Sequence, residues 1–341
     1  EIIVQAGAGL GSAITDEEYR AAGARIEPTA EATWASGELV LKVKEPVGDE
    51  SNFLHDGLVL FTYLHLAADR PLTEQLLASG TTALGYETVQ LSSGMLPLLL
   101  PMSEVAGCLA PQLGAYSLMK PHGGRGLLLG GVAGVKNPRV VVLGAGVAGQ
   151  NAINVALGMG ADVTVLDNDL EKLRLIFWRY ENRVQGIASN TLTIREEVAG
   201  ADMVIGAVLV PGSRTPKLVT NEMVAQMKPG SVLVDIAIDQ GGCFEDSHPT
   251  THDNPTFTVH NSLFYCVTNM PGAVPNTSTW ALTNATLPYV ARVAGEGWRQ
   301  ACRNHAPLAV GLNIWNGHII HQGVSQAFPD LPTAGLDQAL A

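Results

Sequence analysis

The chain has 341 residues, 46% of them hydrophobic and 15% charged, with 32 acidic against 20 basic side chains and a net charge of −12. That length suits about two domains. The low charged fraction excludes intrinsic disorder, and the acidic balance argues against nucleic acid or an anionic membrane as partner. No apolar run long enough to span a bilayer escapes interruption by charge, Pro or paired Gly, and no secretory signal is visible.

In chain order, residues 2–4 read as a strand, although the chain opens without Met; the expectation is that its natural N-terminus lies further upstream. Thr15 followed by Glu18 is a capping box that opens a short helix ending near Gly23. Apolar or β-branched runs at 39–43, 59–66 and 81–87 read as strands, and 67–79 as a helix closed by Gly80. This βα alternation predicts a parallel sheet. Pro97 and Pro101 bracket a stiff break, after which 102–120 has a helical pattern with Ser103 placed as N-cap. A second βα series follows, with strands at 140–143, 162–166, 203–207 and 231–238. From about residue 275 the pattern is helical, chiefly 282–295 and 298–311, with no strands; this tail is expected to pack back on the first domain.

The strongest chemical signal is Gly144-Ala-Gly146-Val-Ala-Gly149, directly after the apolar strand and opening an apolar helix. In that context Gly144 serves the tight turn, Gly146 the close approach of a pyrophosphate, and Gly149 the packing of helix on strand, with the helix N-terminus facing phosphate. Asp167 ends the next strand, 23 residues after Gly144. A carboxylate there accepts from a ribose 2′-OH and repels a 2′-phosphate, which favours NAD over NADP. The alternative is a structural glycine turn, with Asp167 capping the next helix. A second glycine run, Gly7 to Gly11 with Glu27 beyond it, has Ser12 at the third position and a late helix start, so it is a weak candidate.

Polar residues also punctuate apolar strands. Alternation places Lys42 and Lys44 on one face, and His65 on a face with Phe61 and Tyr63. Each has a plain reading: a solvated strand end for the lysines, a satisfied core histidine for His65. The carboxyl ends of parallel strands are nevertheless where α/β ligands bind. A lysine to hold a carboxylate and a histidine to move a proton would be a coherent pair there. Asp239, after the run 232–238, is either a turn residue before Gly241-Gly242 or a carboxylate beside a nicotinamide. His318 and His321, three apart on a possible helix, read as surface histidines rather than metal ligands. Cys108, Cys243, Cys266 and Cys302 show no C-x-x-C spacing; they read as small buried residues of a reducing, cytoplasmic setting.

These residues carry a resemblance. Along essentially its whole length the chain resembles the bacterial L-alanine dehydrogenases, through QAGAGLGSAITD (5–16), LKVKEP (41–46), FTYLHLAA (61–68), YETVQ (86–90), PMSEVAG (101–107), the 144–149 glycine motif, GAVLVPG (206–212), DIAIDQGGC (235–243) and NMPGAVPNTSTWALTNATLPY (269–289). The resemblance implies an α/β fold of two Rossmann-like domains with parallel sheets. A substrate domain, 1–97 and 276–341, would be discontinuous around a central NAD-binding domain, 98–275. It implies reversible, NAD-dependent oxidative deamination of L-alanine to pyruvate and ammonia by a homo-oligomer, usually a hexamer. Lys44 then looks like the lysine that binds substrate oxygens, His65 like the acid/base, Asp239 like the aspartate beside the nicotinamide, and Asn269 like a residue near both substrate and cofactor. Ser103, Asp167, Lys172, Ser189, Val208, Leu209, Val267 and Met270 fall where the family contacts NAD. Some relatives carry a metal-binding Glu and His in the late helix; Arg292 and Glu296 do not reproduce that pair, so no metal is expected. The family also opens with a segment whose arginine pairs with the substrate carboxylate. That segment is not among these residues, and the expectation is a chain that binds NAD but turns over alanine poorly. The rival readings are the NAD-binding component of a proton-translocating transhydrogenase and an inert NAD-binding protein.

Overall fold

The computed structural model describes residues 1–208 and 215–341. The chain forms two compact units, Glu1–Pro101 together with Val274–Ala341, and Met102–Ala273.

The first unit opens with β1 (Ile3–Gln5) and β2 (Arg25–Glu27), a parallel pair linked through α1 (Asp16–Ala21). Thr15 caps α1 by accepting from the Glu18 amide, and Glu18 accepts the Thr15 amide in return at 2.7 Å. α2 (Ala30–Ser36) leads to three parallel strands, β3 (Leu39–Leu41), β4 (Val59–Thr62) and β5 (Thr82–Gly85). Between the last two lies α3 (Arg70–Ser79). Asp69 accepts from the Leu72 amide, a proline sits in its first turn and left-handed Gly80 ends it. Two strands stop earlier than their apolar runs. β3 ends at Leu41 and β4 at Thr62, so neither Lys42, Lys44 nor His65 lies on a strand, and the alternation that assigned their faces does not operate. The cause is visible at His65, whose backbone is left-handed (φ 51°) and leaves the extended path.

α4 (Leu100–Leu118) carries the chain into the second unit. It starts before the expected N-cap. The amide of Leu100 already donates to the Leu96 carbonyl, and Pro101 occupies the first turn, where a missing N–H costs nothing. Ser103 is therefore a residue within the helix, not its cap.

The second unit runs β6 (Arg139–Leu143), α5 (Val147–Gly158), β7 (Asp162–Asp167), α6 (Leu170–Arg179), β8 (Gln185–Ala188), α7 (Thr191–Gly200), β9 (Met203–Gly206), α8 (Asn221–Ala225), β10 (Val232–Asp235), β11 (Thr256–Val259) and β12 (Ser262–Tyr265). Its seven-stranded sheet has the order β11-β12-β10-β9-β6-β7-β8, parallel throughout except for β11 at one edge. Counted by the parallel strands alone, this is the 3-2-1-4-5-6 order of the doubly wound dinucleotide-binding fold, with its switch point between β6 and β9. Val141, Leu143, Val204, Leu233, Phe244 and Phe264 are among the buried residues of its core. The run expected as a strand to residue 238 ends at Asp235. This buried carboxylate accepts from the Ala237 and Cys243 amides and the Ser247 hydroxyl, and turns the chain into the 3-10 segment Ile236–Gln240. Asp239 accordingly sits in a turn, not on a strand.

The chain then returns to the first unit through α9 (Pro275–Glu296), α10 (Trp298–Asn304) and α11 (Ala306–Val310). The tail is not free of strands, as its pattern had suggested. β13 (Leu312–Trp315) pairs antiparallel with β5, and β14 (His318–Ile319) with β13, giving the order β14-β13-β5-β4-β3. His318 and His321 thus do not share a helix: one lies in β14, the other precedes α12 (Gln322–Ala327).

Candidate functional site

In the second unit the glycine motif forms the turn from β6 to α5. Gly144 has φ 102°, and a Cβ there would lie 2.8 Å from the Ala207 carbonyl oxygen, so only glycine fits. At Gly149 a Cβ would sit 1.8 Å from the Gly144 carbonyl oxygen; helix and turn touch backbone to backbone. Gly146 is different. A Cβ there would meet nothing within 4 Å, and no side chain caps the α5 N-terminus at this residue. One glycine of the motif leaves room above a helix N-terminus, and the other two make the turn that holds it there. A dinucleotide pyrophosphate has that requirement.

Asp167 ends β7 and is only 8% exposed. Its Oδ2 accepts the Ala145 amide at 2.7 Å and its Oδ1 the Asp169 amide at 2.8 Å. The carboxylate therefore holds the glycine turn itself, while each oxygen keeps a second lone pair for a ribose hydroxyl. Lys172 on α6 brings Nζ within 4.0 Å of Asp167 and 3.9 Å of Asp169. The Ser189 amide donates to the Asp167 carbonyl at 2.9 Å. Val208 follows β9 and packs against the core; Leu209 lies outside the described residues. Val267 and Met270 are buried, so packing claims their side chains, and Ser103 is half-buried on α4.

Asp239 and Asn269, far apart in sequence, meet in this unit. Both oxygens of the exposed Asp239 carboxylate lie 3.3 Å from the Asn269 amide, which donates to them. Asn269 is left-handed, at φ 53°. The earlier glycine run behaves otherwise. The Gly7 amide donates to the Asp16 side chain at 2.9 Å, and a Cβ at Gly9 would lie 2.5 Å from the Ile14 carbonyl oxygen. That loop closes on its own helix.

In the first unit the turns after β3 and β4 are tied together. The Thr62 hydroxyl donates to the Lys44 carbonyl at 2.8 Å, and the Tyr63 amide to the Val43 carbonyl at 3.3 Å. These bonds bring Lys44 and His65 close, with Glu45 against both. Glu45 Oε1 is 3.8 Å from Lys44 Nζ, and Oε2 is 3.4 Å from His65 Nδ1. Burial raises the Glu45 carboxyl, but the imidazole beside it, its own backbone amide and the Lys44 ammonium together outweigh this and hold it at about 2. His65 is held from the other side through its backbone. The Glu87 carboxylate accepts the Leu64 amide at 3.1 Å and the His65 amide at 2.8 Å. The Tyr63 ring stacks on the imidazole, centroids 5.9 Å apart, and its hydroxyl is anchored on the Leu98 carbonyl at 2.6 Å. Lys42 points elsewhere: it pairs with Glu50 and lies 5.8 Å from the Trp34 ring. The two lysines that alternation made equivalent are thus a neutralised structural residue and a half-exposed one beside a histidine.

Glu45 and Glu87 escaped the residue-by-residue reading. The signal was present. Glu87 is the one charged side chain at the end of the buried run 81–86, and a charge in that position needs a partner.

Comparison with known proteins places the chain in a family. The model of the alanine dehydrogenase/PNT N-terminal domain matches residues 1–106, and that of the C-terminal domain residues 110–322. The alanine dehydrogenase of Mycolicibacterium smegmatis is 58% identical over 341 residues, covering 100% of this chain and 92% of that protein. The alanine dehydrogenase of Mycobacterium tuberculosis is 58% identical over 325 residues, covering 95% and 88%. A solved L-alanine dehydrogenase superposes with a TM-score of 0.91 at 49% identity, covering 96% of this chain and 90% of that one. A transhydrogenase from Sinorhizobium meliloti has a TM-score of 0.78 at 24% identity, covering 94% and 90%, which shows a shared fold. With both domain models matched in order and such identity across its length, the chain belongs to the alanine dehydrogenase/PNT family.

Proposed function

We propose that this chain is an L-alanine dehydrogenase that interconverts L-alanine with pyruvate and ammonia, reversibly and with NAD. It is an oxidoreductase using a nicotinamide cofactor; NAD rather than NADP is the finer reading. The observation that carries the reading is the Lys44–Glu45–His65 cluster of the first unit; the second unit carries the Asp167-braced glycine turn. A transhydrogenase passes hydride between nucleotides and needs no amino-acid site, and its relative shares only 24% identity against 49–58% for the alanine dehydrogenases.

Residues 1–97 and 276–341 are read as the substrate domain and 98–275 as the NAD-binding domain. Gly144, Gly146, Gly149 and Asp167 would hold NAD, with Ser103, Lys172, Ser189, Val208, Leu209, Val267, Asn269 and Met270 as further contacts. Bound NAD supplies the acceptor for the hydride that leaves the alanine α-carbon. Lys44 holds the substrate carboxylate and carbonyl oxygen by charge. His65 takes a proton from the water that adds to the resulting imine, and returns one to the departing nitrogen. Asp239 supplies a second carboxylate for that proton traffic, and Asn269 orients the substrate. In the reductive direction the same groups act in reverse. The test is direct: purified protein, NAD and L-alanine at alkaline pH should give NADH absorbance, and pyruvate with ammonium should consume it. No turnover with alanine in either direction would overturn the reading.

The protein is further read as a cytoplasmic homo-oligomer, a hexamer, without nucleic-acid or membrane partners. Leu170, Leu175, Phe177 and Trp178 on α6 are largely exposed in the single chain, which supports self-association. Its four cysteines are free thiols, and among the described residues no helix is long and apolar enough to cross a membrane. Light scattering should return six times the 35.9 kDa chain mass.

A further inference from the structure

Glu45 is closer to His65 than charge pairing with Lys44 requires. Its Oε1 faces the ammonium, while its Oε2 is buried, accepts no hydrogen bond, and has the imidazole Nδ1 at 3.4 Å. A buried carboxylate oxygen without a hydrogen bond is costly unless a charge compensates it. The ties from the Thr62 hydroxyl and the Tyr63 amide fix the Glu45 loop against the His65 turn. The Glu87 carboxylate fixes that turn from behind, through two amides. The two ring nitrogens are unequal, because Nδ1 is the one that faces the Glu45 carboxylate.

We propose that Glu45 is a positioning residue for His65: its carboxylate keeps the proton on Nδ1, holds the ring plane, and leaves Nε2 as the atom that exchanges protons with substrate. This rests on the reading of His65 as the proton-transfer group. The charge logic is that of any carboxylate beside an imidazole. In the neutral ring Nδ1 donates to Glu45 and Nε2 carries the lone pair. When Nε2 takes a proton, the carboxylate stabilises the imidazolium. Lys44 opposes that stabilisation and also keeps Glu45 ionised. Among the groups around the ring are the Glu45 carboxylate and the Tyr63 ring, with Lys44 on the far oxygen of Glu45 and Glu87 acting through the backbone.

The test compares Glu45→Gln, Glu45→Asp, His65→Asn and the Glu45→Gln/His65→Asn double variant, each checked for NADH binding and melting. Glu45→Gln keeps the shape and removes the charge. A neighbouring carboxylate favours the protonated ring, so its loss should move the acid limb of the kcat/KM profile for alanine oxidation to lower pH, by about 1 unit. Turnover should fall by roughly 10–100-fold, and Glu45→Asp should recover part of it. The double variant should be no worse than His65→Asn alone, because Glu45 acts through the ring. Nitrogen-15 shifts of the imidazole should show the Nδ1–H tautomer in the parent and its loss in Glu45→Gln, whatever the residual activity. An unmoved acid limb and unchanged tautomer in Glu45→Gln, with His65→Asn inactive, would overturn the positioning role and leave the proton-transfer role standing. Full activity in His65→Asn would instead remove the reading beneath it.

Discussion

The carboxylate of Asp167 has two tasks. It braces the glycine turn through the Ala145 and Asp169 amides, and it would bind the ribose. Charge-assisted hydrogen bonds are worth roughly 1.5–3 kcal/mol each, so Asp167→Ala should weaken NAD binding by about 10–100-fold. Discrimination against NADP should shrink at the same time, since the repulsion of a 2′-phosphate goes and Lys172 stays. NADH and NADPH fluorescence titrations measure both; unchanged discrimination would detach Asp167 from the ribose. His65→Ala should cost about 10²–10⁴-fold in turnover while NADH binding persists. Lys44→Ala should raise KM as well as lower kcat. A collapse of melting temperature in either variant would point to a packing role instead. Glu45 also links this cluster to acid stability. Its carboxyl drops from 4.5 to about 2 on folding, so its contribution is present above pH 4.5 and is lost as the pH falls toward 2. Glu45→Gln should therefore lose less stability than the parent over that interval, as read by denaturant midpoints at stepped pH.

At the scale of elements, the glycine turn separates two uses of the same residue. Gly149→Ala forces a methyl against the Gly144 carbonyl and must push α5 off its turn. It should lower the melting temperature and abolish NADH binding together. Gly146→Ala meets no atom within 4 Å and its φ of −73° suits alanine. Its methyl fills the space a pyrophosphate needs, so NADH affinity should fall with the melting temperature unchanged. Equal losses of stability in the two variants would contradict the open-face assignment of Gly146. The end of β10 shows another division of labour. Asp235 is buried and carries the hydrogen bonds that shape the turn, while Asp239, four residues on, is exposed and accepts from the Asn269 amide.

At the scale of the molecule, the second unit is one continuous stretch with its own sheet and core, whereas the first needs both ends of the chain. Residues 102–273 expressed alone should fold and bind NADH without turning over alanine, as circular dichroism and titration would show. A chain cut after Ala273 should not be tolerated. It removes β13 from the edge of β5 and α9 from the turn at Ser12, where Asn276 donates to the Ser12 carbonyl at 2.6 Å. The bared apolar edge should aggregate; a soluble, monodisperse product would contradict this.

Periodicity and local chemistry alone determined much of this protein. The glycine motif, Asp167 after the next strand, the Thr15–Glu18 box and the βα alternation are contacts between near neighbours, where residue type dictates conformation. The strand ends were beyond that reach. β4 stops at Thr62 because Glu87, from the turn after β5, captures the amides of Leu64 and His65. β10 stops because Asp235 collects donors up to Ser247. β13 and β14 are short, and their strand character comes from pairing, β13 with β5 and β14 with β13. The pairing of Glu45 with His65, the sequestering of Lys42 by Glu50 and the meeting of Asp239 with Asn269 likewise join segments that pattern treats separately. A chain reveals which groups it carries through local rules; which groups touch is decided by long-range hydrogen bonds and packing, which no local spacing encodes.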